Sequence, residues 1–423
     1  MKVNGWKTCK VDDIFLLKGG SAFKEKYQGQ LCGEYPFIKV SDFNLPNNKM
    51  FITSANNWIS KEVKNTLKPN IFPNNTIVFA KVGAALSSNR RRILTRNTAI
   101  DNNMMGAIPK NIDPLFGYYV FCTIDFNKFV QDGAVPSVNQ KQIGNVLVYI
   151  PESTSEQQKI AEVLLTVDKR INLIDQKIAE TEKLKTGLMQ KLFSEGVGVQ
   201  DENREWQPHT EFQTSPFGNV PKCWLKVSLE NIASVERGKF SARPRNDPKY
   251  FGGNIPFVQT GDVVNAQLYV ESYSQTLNEL GLTVSKIFPT ETILITIAAN
   301  IGDVAITQFP LACPDSLVGI QAKKDICDSL WLFFFMQTQK SELDSKATKS
   351  AQKNINLQVL KPLTVFLPPL EEQEFIAEIL LASEKKIALL KQQKAETQQL
   401  KKGLMQKLLT GEWRVPVEET EAA

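Results

Sequence analysis

The feature that most constrains this chain is that it is written twice. Residues Glu156 to Leu192 read EQQKIAEVLLTVDKRINLIDQKIAETEKLKTGLMQKL, and Glu372 to Leu408 read EQEFIAEILLASEKKIALLKQQKAETQQLKKGLMQKL, at a constant offset of 216 residues. More than half the aligned positions are identical, and Gly-Leu-Met-Gln-Lys-Leu recurs unchanged at Gly187–Leu192 and Gly403–Leu408. Helical composition alone does not produce such a match, so the chain holds a duplication. What precedes each copy repeats more loosely. Trp6 and Trp224 open the two halves, Pro36-Phe37-Ile38 with Asp42 answers Pro256-Phe257-Val258 with Asp262, and Ile71-Phe72-Pro73 answers Ile287-Phe288-Pro289. The order is globular unit, helix, globular unit, helix. At 423 residues the chain exceeds one ordinary hydrophobic core, in agreement with that division.

The expected boundaries are a first unit at 1–151, a helix at 152–195, a linker at 196–222, a second unit at 223–368, a second helix at 369–411 and a frayed tail at 412–423. The linker is rich in Gly, Pro, Asn and Glu and has no usable periodicity. Within the units, short strand candidates (Pro36–Val40, Thr76–Lys81, Asn145–Ile150, Ile255–Gln259, Thr292–Ile297, Leu363–Leu367) alternate with Asn/Gly/Pro turns. Helices are expected near Phe116–Lys128 and Asp328–Lys340. The fold class is mixed α/β or α+β.

The copied segments carry a narrow apolar seam. Ile160, Val163, Val167, Ile171, Ile174, Ile178, Thr181, Leu184 and Leu188 fall at steps of three and four. Ile376, Ile379, Ser383, Ile387, Leu390, Lys394, Thr397, Leu400 and Leu404 fill the equivalent places. Charged flanks beside a thin stripe point to a coiled coil. The expected helix-pair interface is Ile171, Ile174, Ile178, Leu184, Gly187 and Leu188 with Ile387, Leu390, Leu400, Gly403 and Leu404. A glycine kept in both copies, at about 1 kcal/mol against alanine, suggests that something approaches the backbone there. About 37 residues at 1.5 Å each give a helix on the order of 55 Å. Short connections bring the second helix back along the first, antiparallel, with a pseudo-twofold relation between the halves.

Charge and motifs narrow the function. A net charge of +5 permits a polyanionic partner without identifying one. Basic residues gather with short polar ones at Ser88, Asn89, Arg90, Arg91, Arg92 and Arg96, and again at Arg237, Lys239, Arg243, Arg245 and Lys249. The planar fork of arginine suits phosphates and guanine edges, and Ser or Asn can bond phosphate oxygens or adenine edges. Either cluster alone also fits ordinary solvated charge; two of them on duplicated units favour DNA binding. Catalytic groups are scarce. His209 is the only histidine, which leaves no triad or His-rich metal site. Pro314-Asp315 followed by Gln321-Ala322-Lys323 echoes a nuclease pattern but places a neutral amide where a metal-binding carboxylate is needed. Gly196-Val197-Gly198 lacks the rest of a dinucleotide loop. The six cysteines form no close CxxC pair, and neither a secretory signal nor a membrane-spanning run is present, so a cytoplasmic protein with reduced thiols is expected.

Phe212 to Trp224, FQTSPFGNVPKCW, resembles the lead-in to the second target-recognition domain of Type I restriction-modification specificity subunits. Pro369, Glu372, Gln373, Ile376 and Ala377 resemble the start of that family's helical regions, as do Glu156, Gln157, Ile160 and Ala161, although Pro151 lies further upstream than the pattern has it. The resemblance covers nearly the whole chain. It implies two target-recognition domains, each reading half of a split, asymmetric duplex target, with the paired helices fixing the gap. It also implies docking of two modification (methyltransferase) subunits that use S-adenosylmethionine, with restriction subunits joining for cleavage. This chain would be non-catalytic and bind no cofactor of its own. The competing expectation is a coiled-coil scaffold whose globular ends bind proteins.

Overall fold

The structure is a computed structural model that describes residues 3–130, 135–215, 218–298, 300–347 and 354–416. The chain divides into two compact units, one built from Met1–Ile174 with Gln393–Ala423, the other from Asp175–Gln392. Four helices organise them: α1 (Pro114–Cys122), α2 (Thr154–Leu192), α3 (Ser329–Thr338) and α4 (Leu370–Leu408). The two long ones, α2 and α4, run 39 residues each, and each contributes one end to each unit.

The two units share one topology. In the first, a five-stranded sheet has the order Phe15–Gly19, Met104–Pro109, Ile77–Ala80, Arg91–Leu94, Phe51–Ile52. In the second the order is Ala233–Arg237, Leu317–Ala322, Ile293–Thr296, Val304–Thr307, Tyr269–Val270. A four-stranded sheet accompanies each, and one antiparallel pair closes each unit: Trp6–Lys10 with Leu147–Pro151, and Leu225–Ser228 with Thr364–Leu367. The central strands IVFA and ILIT are wholly buried, which explains why they read as unbroken apolar runs rather than alternating ones. Helix α1 starts at Pro114, where a missing N–H costs nothing, and Asp113 caps it by accepting from Leu115 and Phe116 N–H. Asp328 caps α3 in the same way through Trp331 N–H.

The repeated Glu-Gln pair at the head of each long helix has a distinct task for each residue. Glu156 accepts from Trp6 Nε1 at 3.3 Å and from Arg414 at 2.5 and 2.8 Å. Glu372 accepts from Trp224 Nε1 and His209 Nε2 at 2.9 Å, and from Val197 and Gly198 N–H. Gln157 and Gln373 each span from a strand-end carbonyl (Pro151, Pro368) to the backbone N–H at the start of α1 or α3 (Asp113, Asp328). A buried carboxylate is tolerable only when donors surround it, and both are so surrounded. The pairing explains why tryptophan opens each half and Glu-Gln opens each long helix.

Within each unit the long helices lie antiparallel. Ile160, Ala161 and Leu164 near the start of α2 share the first unit's core with Leu404, Met405 and Leu408 at the end of α4 and with Leu409 just beyond it. In the second unit Leu188, Leu192 and Phe193 share a core with Ile376, Ala377 and Leu380. Of the expected interface residues, Ile174, Ile178, Ile387 and Leu390 are buried and Ile171 is half-buried, while Leu188 and Leu404 pack on the cores of their units. Four others are corrected. Leu184 and Leu400 are 59% and 52% exposed, and a Cβ placed on Gly187 or Gly403 would meet no atom within 4 Å. Helical geometry gives the reason. Advancing four residues from Thr181 turns about 40°, whereas advancing three turns back about 60°, so Lys185 stays on the seam and Leu184 swings off it.

Two further readings change. Residues 196–222 are not a plain linker: Val199–Gln200 pairs with Trp206–Gln207, and Phe212–Ser215 with Gly218–Pro221, while the His209 side chain is 4% exposed against Glu372. Pro216 and Phe217 lie outside the described residues. The expected frayed tail holds Arg414 in its ion pair with Glu156; residues 417–423 lie outside the described residues.

Candidate nucleic-acid interface

The first basic cluster runs into the strand Arg91–Leu94, and three of its six residues, Asn89, Arg91 and Arg92, are turned inward. Arg91 is 3% exposed, lies 3.9 Å from the Phe126 ring centroid, and donates to the carbonyls of Asn89 and Ile124. Burial pushes its guanidinium below the usual arginine range, a sign of dehydration rather than of readiness for a phosphate. Arg92 donates to the carbonyls of Asn48, Arg91 and Phe43 and stacks over Phe43. Asn89 takes a left-handed turn at φ 52°, donates to Asp125 at 2.7 Å and accepts from Phe126 N–H. The Asn89 bond, with help from Asn127, holds the Asp125 carboxyl below its ordinary value. Arg91, Arg92 and Asn89 therefore build the loop rather than face a ligand. Ser88 and Arg96 stay exposed and Arg90 half-exposed, with Arg90 donating to Asn44 Oδ1 at 2.7 Å and Arg96 over Trp58.

The second cluster behaves differently. Arg237, Lys239, Arg243, Arg245 and Lys249 are all exposed. Arg237 Nε donates to the Asp315 carbonyl at 2.6 Å, Arg245 pairs with the Asp315 carboxylate at 2.8 Å, and Lys249 pairs with Asp247 at 2.9 Å. Arg243 donates to the Ala242 carbonyl. These are surface pairs of small intrinsic strength, easily exchanged for phosphate oxygens.

Topology shows that the two clusters are not equivalents. The strand Ala233–Arg237 corresponds to Phe15–Gly19, so the counterpart of the second cluster is the loop after Gly19. The match is detailed. A Cβ on Gly20 would lie 1.9 Å from the Asp101 carbonyl, and one on Gly238 would lie 2.2 Å from the Pro314 carbonyl, so both loops press against the same neighbouring turn at a position only glycine fits. Phe23 stacks on Phe37 at 3.8 Å, and Phe240 packs on Phe257 at 5.0 Å. Each loop then makes one short helical turn, Glu25–Tyr27 or Pro248–Tyr250, with a lysine over the tyrosine ring: Lys26 over Tyr27 and Lys249 over Tyr250. Exposed Lys24 and Lys26 are thus residues that reading the sequence for arginine runs passes over. The usable signal is the glycine directly after the edge strand that opens each five-stranded sheet, Gly20 after Phe15–Gly19 and Gly238 after Ala233–Arg237.

Beside the second loop, Thr260 and Ser316 hydroxyls lie 3.1 Å apart next to Asp315. In the first unit Ser21 accepts from Asn70 N–H, and Asn70 donates to the Gly19 carbonyl. Each unit therefore presents cations on a pinned loop with hydroxyl or amide groups beside it, a combination suited to phosphate positioning and base-edge contact. Among the described residues no group of three or more His, Cys, Asp or Glu side chains could hold a metal ion, and no helix is long and apolar enough to cross a membrane.

Comparison with known proteins agrees with this duplication. The family described as Type I restriction modification DNA specificity domain matches twice, over residues 4–183 and 221–399. A putative type I restriction enzyme MjaX specificity subunit from Methanocaldococcus jannaschii is 30% identical over 309 residues, covering 72% of this chain and 69% of its own. The MjaVIII specificity subunit of the same organism is 24% identical over 425 residues, covering 97% and 93%. Among solved structures, the S subunit of a type I restriction-modification system from M. genitalium superposes with a TM-score of 0.59 at 13% identity, over 96% of this chain and 98% of that one. A chain from a structure addressing complex assembly and conformational transition of the type I R-M system gives 0.57 at 17% identity, over 97% and 99%.

Proposed function

This chain belongs to the Type I restriction-modification DNA specificity family, and from that premise we propose how its parts divide the work of target recognition. Each unit reads one half of a bipartite, asymmetric duplex target. The loops after Gly19 and Arg237 supply the contacts, Lys24 and Lys26 from the first and Lys239, Arg243, Arg245 and Lys249 from the second. Arg90, Ser88 and Arg96 flank the first reader. The two long helices set the gap between half-sites and dock two modification subunits, which bring S-adenosylmethionine; methyl transfer and cleavage, with restriction subunits, belong to the partners. The chain itself holds no cofactor.

One observation carries the reading most: the same pinned loop, with cations on its outer side, occurs at the same topological place in both halves. Docking has its own support. Leu173 and Leu184 on α2, and Leu389 and Leu400 on α4, are 56%, 59%, 48% and 52% exposed at equivalent positions. Eleven residues are close to three whole turns, so each leucine pair shares a flank, near the open glycine that follows. Exposed leucines kept at matching places, with glycines whose outer side is open among the described residues, suit a partner whose surface approaches the helix backbone.

The test is DNA binding by the chain assembled with its modification subunits, on a duplex whose half-sites come from mapping genomic methylation. Affinity is expected to fall steeply with salt, with a log–log slope of about −0.9 per phosphate neutralised, and to drop by orders of magnitude when either half-site is scrambled. Equal, weak, salt-insensitive binding to all duplexes would return the scaffold reading.

A further inference from the structure

Two of the ion pairs that join α2 to α4 are sheltered from solvent. In the second unit Lys185 of α2 pairs with Glu384 of α4, and the side chains are 16% and 13% exposed. In the first unit Lys401 of α4 pairs with Asp168 of α2 at 2.7 Å, and the side chains are 25% and 22% exposed. Lys185 and Lys401 are duplicates of one another, 216 residues apart, and so are Asp168 and Glu384. Other pairs, such as Lys391–Glu182 at 44% and 52% or Lys222–Glu211 at 68% and 73%, are open to solvent.

Each sheltered pair also reaches the short helix of its own unit. Tyr119 of α1 donates its hydroxyl to the second oxygen of Asp168 at 2.8 Å, and Lys401 lies over the Tyr119 ring at 5.5 Å. Lys185 donates to Gln337 Oε1 of α3 at 3.3 Å and lies over the Phe334 ring at 5.8 Å. Three elements meet at each pair: both long helices and the helix that supports the reading sheet. The lysines take the seam positions where the apolar spacing predicts leucine, so the seam is interrupted by charge at the same point of both repeats. A sheltered ion pair contributes little to stability over an apolar pair of the same size, but it penalises any register that leaves the charge unmatched. Sliding one helix by a turn moves it about 5.4 Å, enough to strand the ammonium among apolar neighbours.

We propose that Lys185–Glu384 and Asp168–Lys401 are register keys that fix the axial match of α2 and α4 and the seating of each reading unit on them, and so determine which spacing between half-sites is accepted. The inference rests on the reading of the helices as the element that sets that gap. Its chemistry separates specificity from stability. Replacing a pair by two methionines, K185M/E384M, keeps the volume, removes the penalty and leaves the chain folded.

The experiment uses the full chain with its modification subunits and a set of duplexes in which the mapped half-sites stand one base pair closer, at the native spacing, or one base pair further apart. The unaltered complex is expected to prefer its native spacing by about tenfold or more, the scale of one mismatched base pair. K185M/E384M and D168N/K401M, the latter keeping an oxygen to accept from Tyr119, bind the native spacing within a few-fold but accept the neighbouring spacings nearly as well, and the charge-swapped K185E/E384K regains the preference. Unchanged discrimination in both methionine variants overturns the inference, as does a loss of binding that is equal at every spacing. An unaltered complex with no spacing preference fails the gap-setting reading itself, a separate result.

Discussion

At the residue scale, the strongest constraints are the two buried carboxylates. Glu372 is 1% exposed at its side chain and serves four donors; in E372Q one of its oxygens becomes an amide NH2 that faces N–H groups. Unpairing a buried charge network costs about 3–5 kcal/mol, and the amide retains part of it, so E372Q is expected to lose about 2–4 kcal/mol. The urea midpoint followed by tryptophan fluorescence reads this directly, since Trp224 is itself a donor; a midpoint unmoved within error would discard the account. The glycines give the opposite sign. With no atom within 4 Å of the added methyl, G187A and G403A should each stabilise the isolated chain by about 1 kcal/mol while weakening capture of the modification subunit in a pull-down or titration. Stabilisation with undiminished capture would remove the docking role. The thiols provide a check on burial: Cys313 and Cys327 are pushed up to about 12 by desolvation, whereas Cys32 and Cys223 are exposed. Alkylation at pH 8 should therefore label Cys32 and Cys223 and spare the buried pair until denaturant is added.

At the element scale, the duplication made the two long helices legible because a repeat of that length has one economical explanation. Residues on the seam were less so. Counting apolar steps of three and four leads to Leu184 and Leu400, while the helix rotation puts Lys185 and Lys401 there; a sequence cannot reveal that a lysine is inside when its partner sits some two hundred residues away. The hairpins of 199–221 escaped because strands of two to four residues carry no period. Arg91 escaped because an arginine run looks the same whether its guanidinium points at phosphate or at Phe126. The equivalence of the loops after Gly19 and Arg237 was hidden by their divergence, and only strand order exposes it. The same geometry yields a test of the helices. Four residues inserted between Ile174 and Asp175, and four between Gln392 and Gln393, where α2 and α4 pass from one unit to the other, lengthen each by about 6 Å. At about 3.4 Å per base pair that is close to two base pairs. The preferred gap between half-sites, measured by binding to a spacer series, should lengthen by one or two; an unmoved optimum would set aside the gap-setting role.

At the scale of the whole molecule, the question is whether two related units act as independent readers. Each has its own sheets, its own aromatic core and its own carboxylate clasp, so damage to one reading loop is expected to fall on its own half-site. Replacing Lys239, Arg243 and Arg245 by serine removes three exposed cations from the second unit alone, and replacing Lys24 and Lys26 removes two from the first. Each set should flatten the salt dependence by about 0.9 per lost phosphate contact, and should weaken binding most on duplexes that retain only the half-site of the altered reader. The complementary half-site, tested with its partner scrambled, should bind as before. Arg91→Ser is the informative contrast. It belongs to the first basic cluster but is inward-facing, so it should lower the melting temperature of the first unit, through an emptied site beside Phe126, without the salt-slope change that marks a phosphate contact. If Arg91→Ser instead leaves stability intact and alters the slope, the inward assignment fails. If the lysine and arginine sets each depress both half-sites equally, recognition is a property of the assembled pair rather than of two readers.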